Sequence, residues 1–185
     1  MIVETEHTPN PNTLKFLPGK KVSEVGPIEF LKNDKSIKVS LANKILSIEG
    51  TVMVFFGEDF ITVKKEKNLN WEDLKHSIIS EINDYYLQGN EIIIKKSSKK
   101  STSAPDTEYS SDVISKLNEV LDTKIRPAVA RDGGDITFKS FKEGVVTVEL
   151  KGSCSGCPSS IMTLKQGVQN LLCHYIPEVK SVEAV

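Results

Sequence analysis

Two cysteines, Cys154 and Cys157, are separated by two residues in the glycine- and serine-rich segment 151–160. A pair with this spacing can hold a soft metal ion, bind an iron–sulfur cluster or form a redox-active disulfide. Zinc and a 4Fe-4S cluster each commonly take four protein ligands. The chemistry of this segment therefore depends on where two further ligands come from.

The rest of the chain offers no second pair of suitable ligands close to the first. Cys173 lies sixteen positions beyond Cys157 along a predicted helix, which is roughly 24 Å at about 1.5 Å per residue. His174 is equally distant, and His7 and His76 belong to the amino-terminal half, so we interpret all three as surface or packing residues. The simplest completion is a second copy of the chain, because two C-x-x-C loops that meet on a two-fold axis supply four thiolates. A site shared in this way and open to solvent would be labile, which suits a carrier.

The surroundings of the pair also leave other chemistry open. Pro158 is typical of the first turn of a helix, so Cys157 is predicted at a helix amino terminus, where the dipole favours the thiolate. This environment serves disulfide exchange as well, and a thiol–disulfide oxidoreductase that uses Cys154 and Cys157 is an alternative function. The preceding hairpin is not the βαβ context of such enzymes, and Pro158 follows the pair and does not separate the cysteines. A structural zinc site or inert buried thiols is a further alternative.

The segments around the cysteine loop predict a compact α+β domain over 111–185, in the order helix, strand, strand, helix, strand. The predicted elements are a helix from 111 or 112 to Pro127, a turn over 131–135, strands over 136–141 and 145–150, a helix from Pro158 to Pro177, and a strand over 179–185. The apolar face of the second helix is predicted to carry Ile161, Leu164, Val168, Leu171, Leu172 and Tyr175. This order places the cysteines on a strand-to-helix loop.

The amino-terminal residues 1–94 predict a second small α/β unit, in which helices cover one side of a mostly antiparallel sheet. Its predicted elements are strands over 2–5, 13–17, 50–56 and 60–63, a short helix capped by Ser40, and a helix from about Asn70 to Gly89. Prolines within 8–12 predict a rigid turn between the first two strands. Residues 95–110 are polar and rich in Ser, Thr and Lys, so we predict a flexible linker between two domains.

Composition narrows the class of partner. The chain has 24 Lys plus Arg against 25 Asp plus Glu, a balance that predicts neither a nucleic-acid nor an anionic-membrane partner. Its apolar runs are too short to cross a bilayer, and the start of the chain lacks the pattern of a secretory signal. Three cysteines do not suggest a secreted disulfide framework, so we expect reduced thiols in a cytosol-like compartment.

Two parts of the chain resemble one known family. Residues 132–135, followed after a hairpin by 152–160 and then by 175–179, resemble the NifU-like C-terminal domain of the Nfu proteins. Residues 5–16, 55–63 and Trp71 are similar to the Nfu N-terminal domain. Two independent signatures in the expected order make the resemblance specific, whereas a lone C-x-x-C would be weak.

The resemblance implies a carrier and not an enzyme. In this family a 4Fe-4S cluster is held between two protomers, with Cys154 and Cys157 as the matching ligands, and is passed from an upstream assembly scaffold to apo iron–sulfur proteins. Cys173 matches no ligand position. Eukaryotic members carry a mitochondrial targeting extension, so we expect the cytoplasm of a bacterium, or the mitochondrial matrix if this chain is a processed form. The amino-terminal domain has no evident catalytic constellation and is expected to contact client or scaffold proteins.

Overall fold

The structure is a computed structural model that describes residues 2–34, 37–90, 93, 111–155 and 158–185. The chain forms two compact units, Met1–Ser97 and Ser98–Val185. Each unit has its own hydrophobic core and its own sheet. This confirms the predicted α+β class with two small units. The predicted linker, 95–110, lies outside the described residues.

The first unit is built on a five-stranded sheet in which every pairing is antiparallel. Its elements are β1 (Glu4–His7), β2 (Thr13–Leu17), β3 (Ile28–Leu31), α1 (Ser40–Ser47), β4 (Thr51–Phe56), β5 (Ile61–Lys65) and α2 (Trp71–Leu87). The strand order is β1-β2-β5-β4-β3, so the antiparallel pairs β1–β2 and β4–β5 meet at the β2–β5 pairing. The core of this unit lies between one face of the sheet and the buried residues of α1 and α2.

Three details of this unit differ from the sequence prediction. The first strand, predicted over 2–5, lies at Glu4–His7. β3 was not predicted, because its four residues form an edge strand that is only partly buried and has no long alternation. Ser40 is the first residue of α1 and not its cap; the cap position is Val39, which makes no side-chain capping bond. The helix is stabilised by burial of its apolar face instead.

The turn between β1 and β2 is held by more than its prolines. Asn10 is buried, its side-chain oxygen accepts a hydrogen bond from the Asn12 amide at 3.0 Å, and its carbonyl accepts one from the Thr13 amide at 2.9 Å. The Trp71 indole also donates to the Pro11 carbonyl at 3.1 Å. The predicted rigid turn is therefore tied to the start of α2.

The second unit follows the predicted order, with a longer first helical region. Its elements are α3 (Ser111–Val120), a π-helical segment (Leu121–Ile125), α4 (Arg126–Arg131), β6 (Gly134–Lys142), β7 (Val145–Gly152), α5 (Pro158–Tyr175) and β8 (Ser181–Ala184). β6 and β7 form the predicted antiparallel hairpin, and β8 pairs with β7 in parallel after the α5 crossover. The cysteine loop thus joins the middle strand of the sheet to the amino terminus of α5.

Two predicted features of this unit were wrong. The first helical region does not end before Pro127 but continues to Arg131. After the π segment a new α-helix begins at Arg126, and Pro127 lies in its first turn, where the missing amide costs no helical hydrogen bond. The apolar face of α5 is narrower than predicted: Val168 and Leu172 are buried, whereas Leu171 and Tyr175 remain exposed. No helix in the described part of the chain is long and apolar enough to span a membrane.

Candidate metal centre

The structure places one of the two predicted site residues. β7 ends at Gly152 and α5 begins at Pro158, so Cys154 lies on the connecting loop as predicted. Cys157 lies outside the described residues. The geometry of the candidate site is therefore the geometry of Cys154 and the residues that hold it.

The loop before Cys154 turns back sharply on the end of β7. Gly152 adopts a φ of 69°, a left-handed conformation that favours glycine. The Ser155 amide and hydroxyl both donate to the Gly152 carbonyl, at 3.2 and 2.9 Å. This turn directs Cys154 inward, and the residue is only 4% exposed.

The turn between α4 and β6 forms the other side of the site. The Ser153 amide donates to the Gly133 carbonyl at 3.1 Å, and the Ser153 hydroxyl donates to the Asp132 carbonyl. Gly133 has a φ of 81°, and Gly134 is the register partner of Gly152 at the end of the hairpin. Residues 132–134 and 152–154 therefore form one hydrogen-bonded structure.

Gly134 makes room for the cysteine side chain. A Cβ atom at this position would lie 2.8 Å from Cys154 Sγ and 2.6 Å from the Lys151 carbonyl oxygen. Sequence reasoning treated 131–135 as a turn and as a family motif but missed this contact. Counting outward from the β6–β7 turn would have brought Gly134 opposite Ser153, and the bulge between Phe138 and Ser140 shifts the register by one residue, so that Gly134 pairs with Gly152.

The electrostatic environment favours the thiol form of Cys154. Burial raises the pKa of this thiol to about 11, with smaller upward contributions from the Asp132 and Asp135 carboxylates and an opposing hydrogen bond from Ser153. At neutral pH the residue is therefore protonated in this conformation. Asp135 is itself buried, and desolvation raises the pKa of its carboxyl group, opposed chiefly by the nearby Arg126 guanidinium.

The remaining candidate ligands are not brought to this site. Cys173 is half-buried on α5 and packs against the core of the second unit. His7, His76 and His174 are exposed. Among the described residues, no three His, Cys, Asp or Glu side chains are grouped so that they could hold a metal ion.

Comparison with known proteins gives two family matches that together span most of the chain. Residues 3–89 match the model described as scaffold protein Nfu/NifU N terminal. Residues 117–183 match the model of the NifU-like domain. The second match contains the turn at 132–135 and the whole cysteine loop.

Similar proteins match over the whole of this chain and are longer than it. The human protein named NFU1 iron-sulfur cluster scaffold homolog, mitochondrial, is 44% identical over 186 residues, which cover 100% of this chain and 72% of that protein. The Arabidopsis thaliana protein named NifU-like protein 4, mitochondrial, is 42% identical over 99% of this chain and 65% of its own length. A solution structure of a NifU-like protein from Saccharomyces cerevisiae aligns with a TM-score of 0.47 and 28% identity, and it covers 52% of this chain and 87% of the other. The chain belongs to the Nfu family, as the sequence resemblance predicted, with an Nfu/NifU amino-terminal domain followed by a NifU-like domain.

Proposed function

We propose that this chain is an iron–sulfur cluster carrier that binds a 4Fe-4S cluster through Cys154 and Cys157 of two protomers. The observation that carries the proposal is the similarity over the whole chain to a protein named as an iron–sulfur cluster scaffold, at 44% identity. The C-x-x-C pair within the NifU-like match supplies the soft ligands that such a cargo needs. The cargo would arrive from an upstream assembly scaffold and pass to apo iron–sulfur proteins.

Ligand counting supports a homodimer around the cluster. One chain offers two thiols in the loop, and no group of three ligating side chains occurs in the part of the chain that the structure describes. A second copy supplies the missing two thiolates by symmetry. Because each protomer holds only half of the ligands, loss of one protomer opens the site, which favours transfer over permanent retention.

The buried state of Cys154 defines what uptake of the cluster requires. Its thiol lies against Gly134 and is protonated at neutral pH, so ligation of a cluster by this sulfur would require its exposure and the loss of its proton. A bound cluster would supply positive charge that favours the deprotonated sulfur. Without cargo, the same burial protects Cys154 from oxidation and from exchange with other thiols.

The alternative, a thiol–disulfide oxidoreductase, gains no support from Cys154. An attacking thiol works best with a pKa near ambient pH, whereas burial raises that of Cys154 to about 11. We infer a carrier without catalytic activity of its own, and this inference is supported by the similarity to proteins named as iron–sulfur cluster scaffolds. For its compartment we favour the mitochondrial matrix over a bacterial cytoplasm, because the human and Arabidopsis relatives are named as mitochondrial.

Anaerobic reconstitution of the full chain with iron and sulfide tests the proposal. We expect a brown dimer with about two irons per chain, which a chelator returns to a colourless form. Cys154→Ser and Cys157→Ser should each abolish cluster binding. Cys173→Ser is the matched control, since this cysteine lies on α5 away from the loop, and it should bind the cluster like the parent.

The outcomes separate the two functions. A colourless monomer, or a Cys154→Ser variant that still transfers cluster to an apo-ferredoxin, would refute the carrier. Insulin-reductase activity by the monomer that depends on Cys154 and Cys157 would favour the oxidoreductase instead.

A further inference from the structure

The start of β6 contains a buried carboxylate whose position no part of the proposed cluster chemistry explains. Asp135 is 4% exposed and follows Gly134 directly in the strand. Its register partner across the hairpin is Lys151, three residues before Cys154. A buried carboxylate is costly unless a cation or hydrogen-bond donors compensate it, so its surroundings indicate what it is for.

The main compensating group is Arg126, the first residue of α4, and the Thr137 hydroxyl also donates to Asp135 Oδ2 at 3.5 Å. The Nε of Arg126 forms an ion pair with Asp135 Oδ1 at 3.1 Å, without hydrogen-bond geometry, and its Nη2 donates to the Ile136 carbonyl at 3.2 Å. The third nitrogen, Nη1, pairs with Asp122 Oδ1 at 2.7 Å, one turn earlier in the helical region. One rigid guanidinium therefore links the helix to two consecutive residues of β6, which a flexible lysine side chain cannot reproduce.

The helix presents Arg126 at this point because of the π segment. Leu121–Ile125 forms wider turns than an α-helix, and Arg126 follows it immediately. Such π segments shift the register of all later side chains and occur frequently at functional sites. Here the result is that the guanidinium reaches the strand start beside the cysteine loop.

The contacts continue from Asp135 to the cysteine. Gly134 and Gly133 immediately precede this residue; the former lies against Cys154 Sγ and the latter accepts the hydrogen bond from the Ser153 amide. A shift of Asp135 would therefore move both contacts. We propose that Arg126 is a positioning residue, which through Asp135 fixes the turn at 132–134 and so holds Cys154 in its buried position before cluster uptake. The inference rests on the proposed function, because it treats Cys154 as a cluster ligand.

The test measures the position of Cys154 without any cluster. In a full chain that carries Cys157→Ser and Cys173→Ser, Cys154 is the single cysteine, and its alkylation by iodoacetamide can be timed. Amide hydrogen exchange at Ser153 reports the bond to the turn, and exchange at Ile176, whose amide donates to the Leu172 carbonyl at 2.8 Å, reports the unit as a whole.

We expect Arg126→Met to raise both the alkylation rate and the Ser153 exchange rate at least about tenfold, while Ile176 exchange stays within about twofold. Arg126→Lys should give a smaller rise in the same two rates, because lysine keeps the positive charge but lacks the several donor nitrogens of the planar guanidinium. Asp122→Asn is the matched control, since it removes the charge of the ion pair that Arg126 makes within its own helical region, and it should leave both rates within about twofold of the parent.

Unchanged rates in Arg126→Met would overturn the proposal, as would an equal loss of protection at Ser153 and Ile176, which indicates a global role. If Arg126→Met fails to fold, Arg126→Lys decides: its Cys154 alkylation rate is compared with that of the parent, and its Ser153 exchange is compared with its Ile176 exchange. Reconstitution is measured separately, and a chelator should remove cluster faster from Arg126→Lys than from the parent. If the parent binds no cluster, the proposed function fails, while the alkylation and exchange rates still decide the role of Arg126.

Discussion

Two glycines of the second unit offer the same substitution with opposite expected effects on stability. A Cβ at Gly134 would lie 2.6 Å from a backbone oxygen of β7 and 2.8 Å from Cys154 Sγ. A Cβ at Gly167, in the interior of α5, would have no heavy atom within 4 Å. We therefore expect Gly134→Ala to destabilise the unit and Gly167→Ala to stabilise it.

The magnitudes follow from these surroundings. Both contacts at Gly134 are shorter than the 3.0 Å that Cβ atoms normally keep, and the nearer one is to backbone, which cannot rotate away. Overpacking of this kind costs about 1–3 kcal/mol, and we expect a value near the upper end. At Gly167 the helix gains about 0.5–1 kcal/mol from alanine. A difference of about 3 kcal/mol separates the two melting temperatures by at least about 10 °C in a domain of this size.

Thermal unfolding of the full chain can assign these changes to the second unit. Trp71 is the single tryptophan and lies in the first unit, so its fluorescence follows that unit alone. Circular dichroism follows the helices of both units. We expect the tryptophan transition to stay at the parent temperature in both variants, while the second-unit transition moves down in one and up in the other.

A further variant tests the contact with sulfur directly. Cys154→Ala removes one of the two close neighbours of Gly134, so Gly134→Ala should cost less in that background, by more than about 0.5 kcal/mol. A Gly134→Ala chain that melts with the parent, or a shift of equal sign in both glycine variants, would refute the packing described for this turn.

Three further changes have expected outcomes of defined sign. Burial raises the pKa of Tyr86 from 10.0 to about 12, so the stability it contributes is complete below about pH 10 and is lost as the pH rises to about 12. The loss is at most about 3 kcal/mol; urea unfolding followed by Trp71 fluorescence should detect it, and Tyr86→Phe should remove it. Trp71→Phe deletes the bond to the Pro11 carbonyl and should cost about 1 kcal/mol, measured by circular dichroism; an unchanged midpoint would show that the bond is not needed. A hydrogen bond from Lys139, at 2.8 Å, lowers the pKa of Glu149 below 4.5, so the stability that this pair contributes is present above that pH and disappears in acid. Glu149→Gln should therefore make unfolding less sensitive to acid. An identical acid profile of the variant and the parent would contradict the assignment.

Local patterns predicted most of the secondary structure, because each pattern depends on neighbouring residues. The alternation in 13–17 gave β2 at its observed bounds, and the helical spacing after Asn70 gave α2. The same reasoning failed where packing overrides local preference. β3 is a short edge strand paired with β4, and Pro127 is accommodated by a π segment that no periodicity signals.

The candidate site divides in the same way between sequence and structure. The spacing of Cys154 and Cys157 and the proline after them were enough to predict a ligand pair at a helix entrance and the need for a second protomer. Cys154 lies on the predicted loop, whereas the ligand roles and the dimer stay predictions.

Only the tertiary structure decided the state of Cys154. The turn at 132–134 lies about twenty residues before the cysteine in the chain, and the hairpin register brings the two together. Burial against Gly134 and the raised pKa follow from that register, whereas the pairing of Arg126 with Asp135 depends on the packing of the helical region against β6. Residue types and spacing thus determined which atoms could bind a cluster. Desolvation and charge pairing depend on residues distant in sequence, so their effect on the thiol required the folded chain.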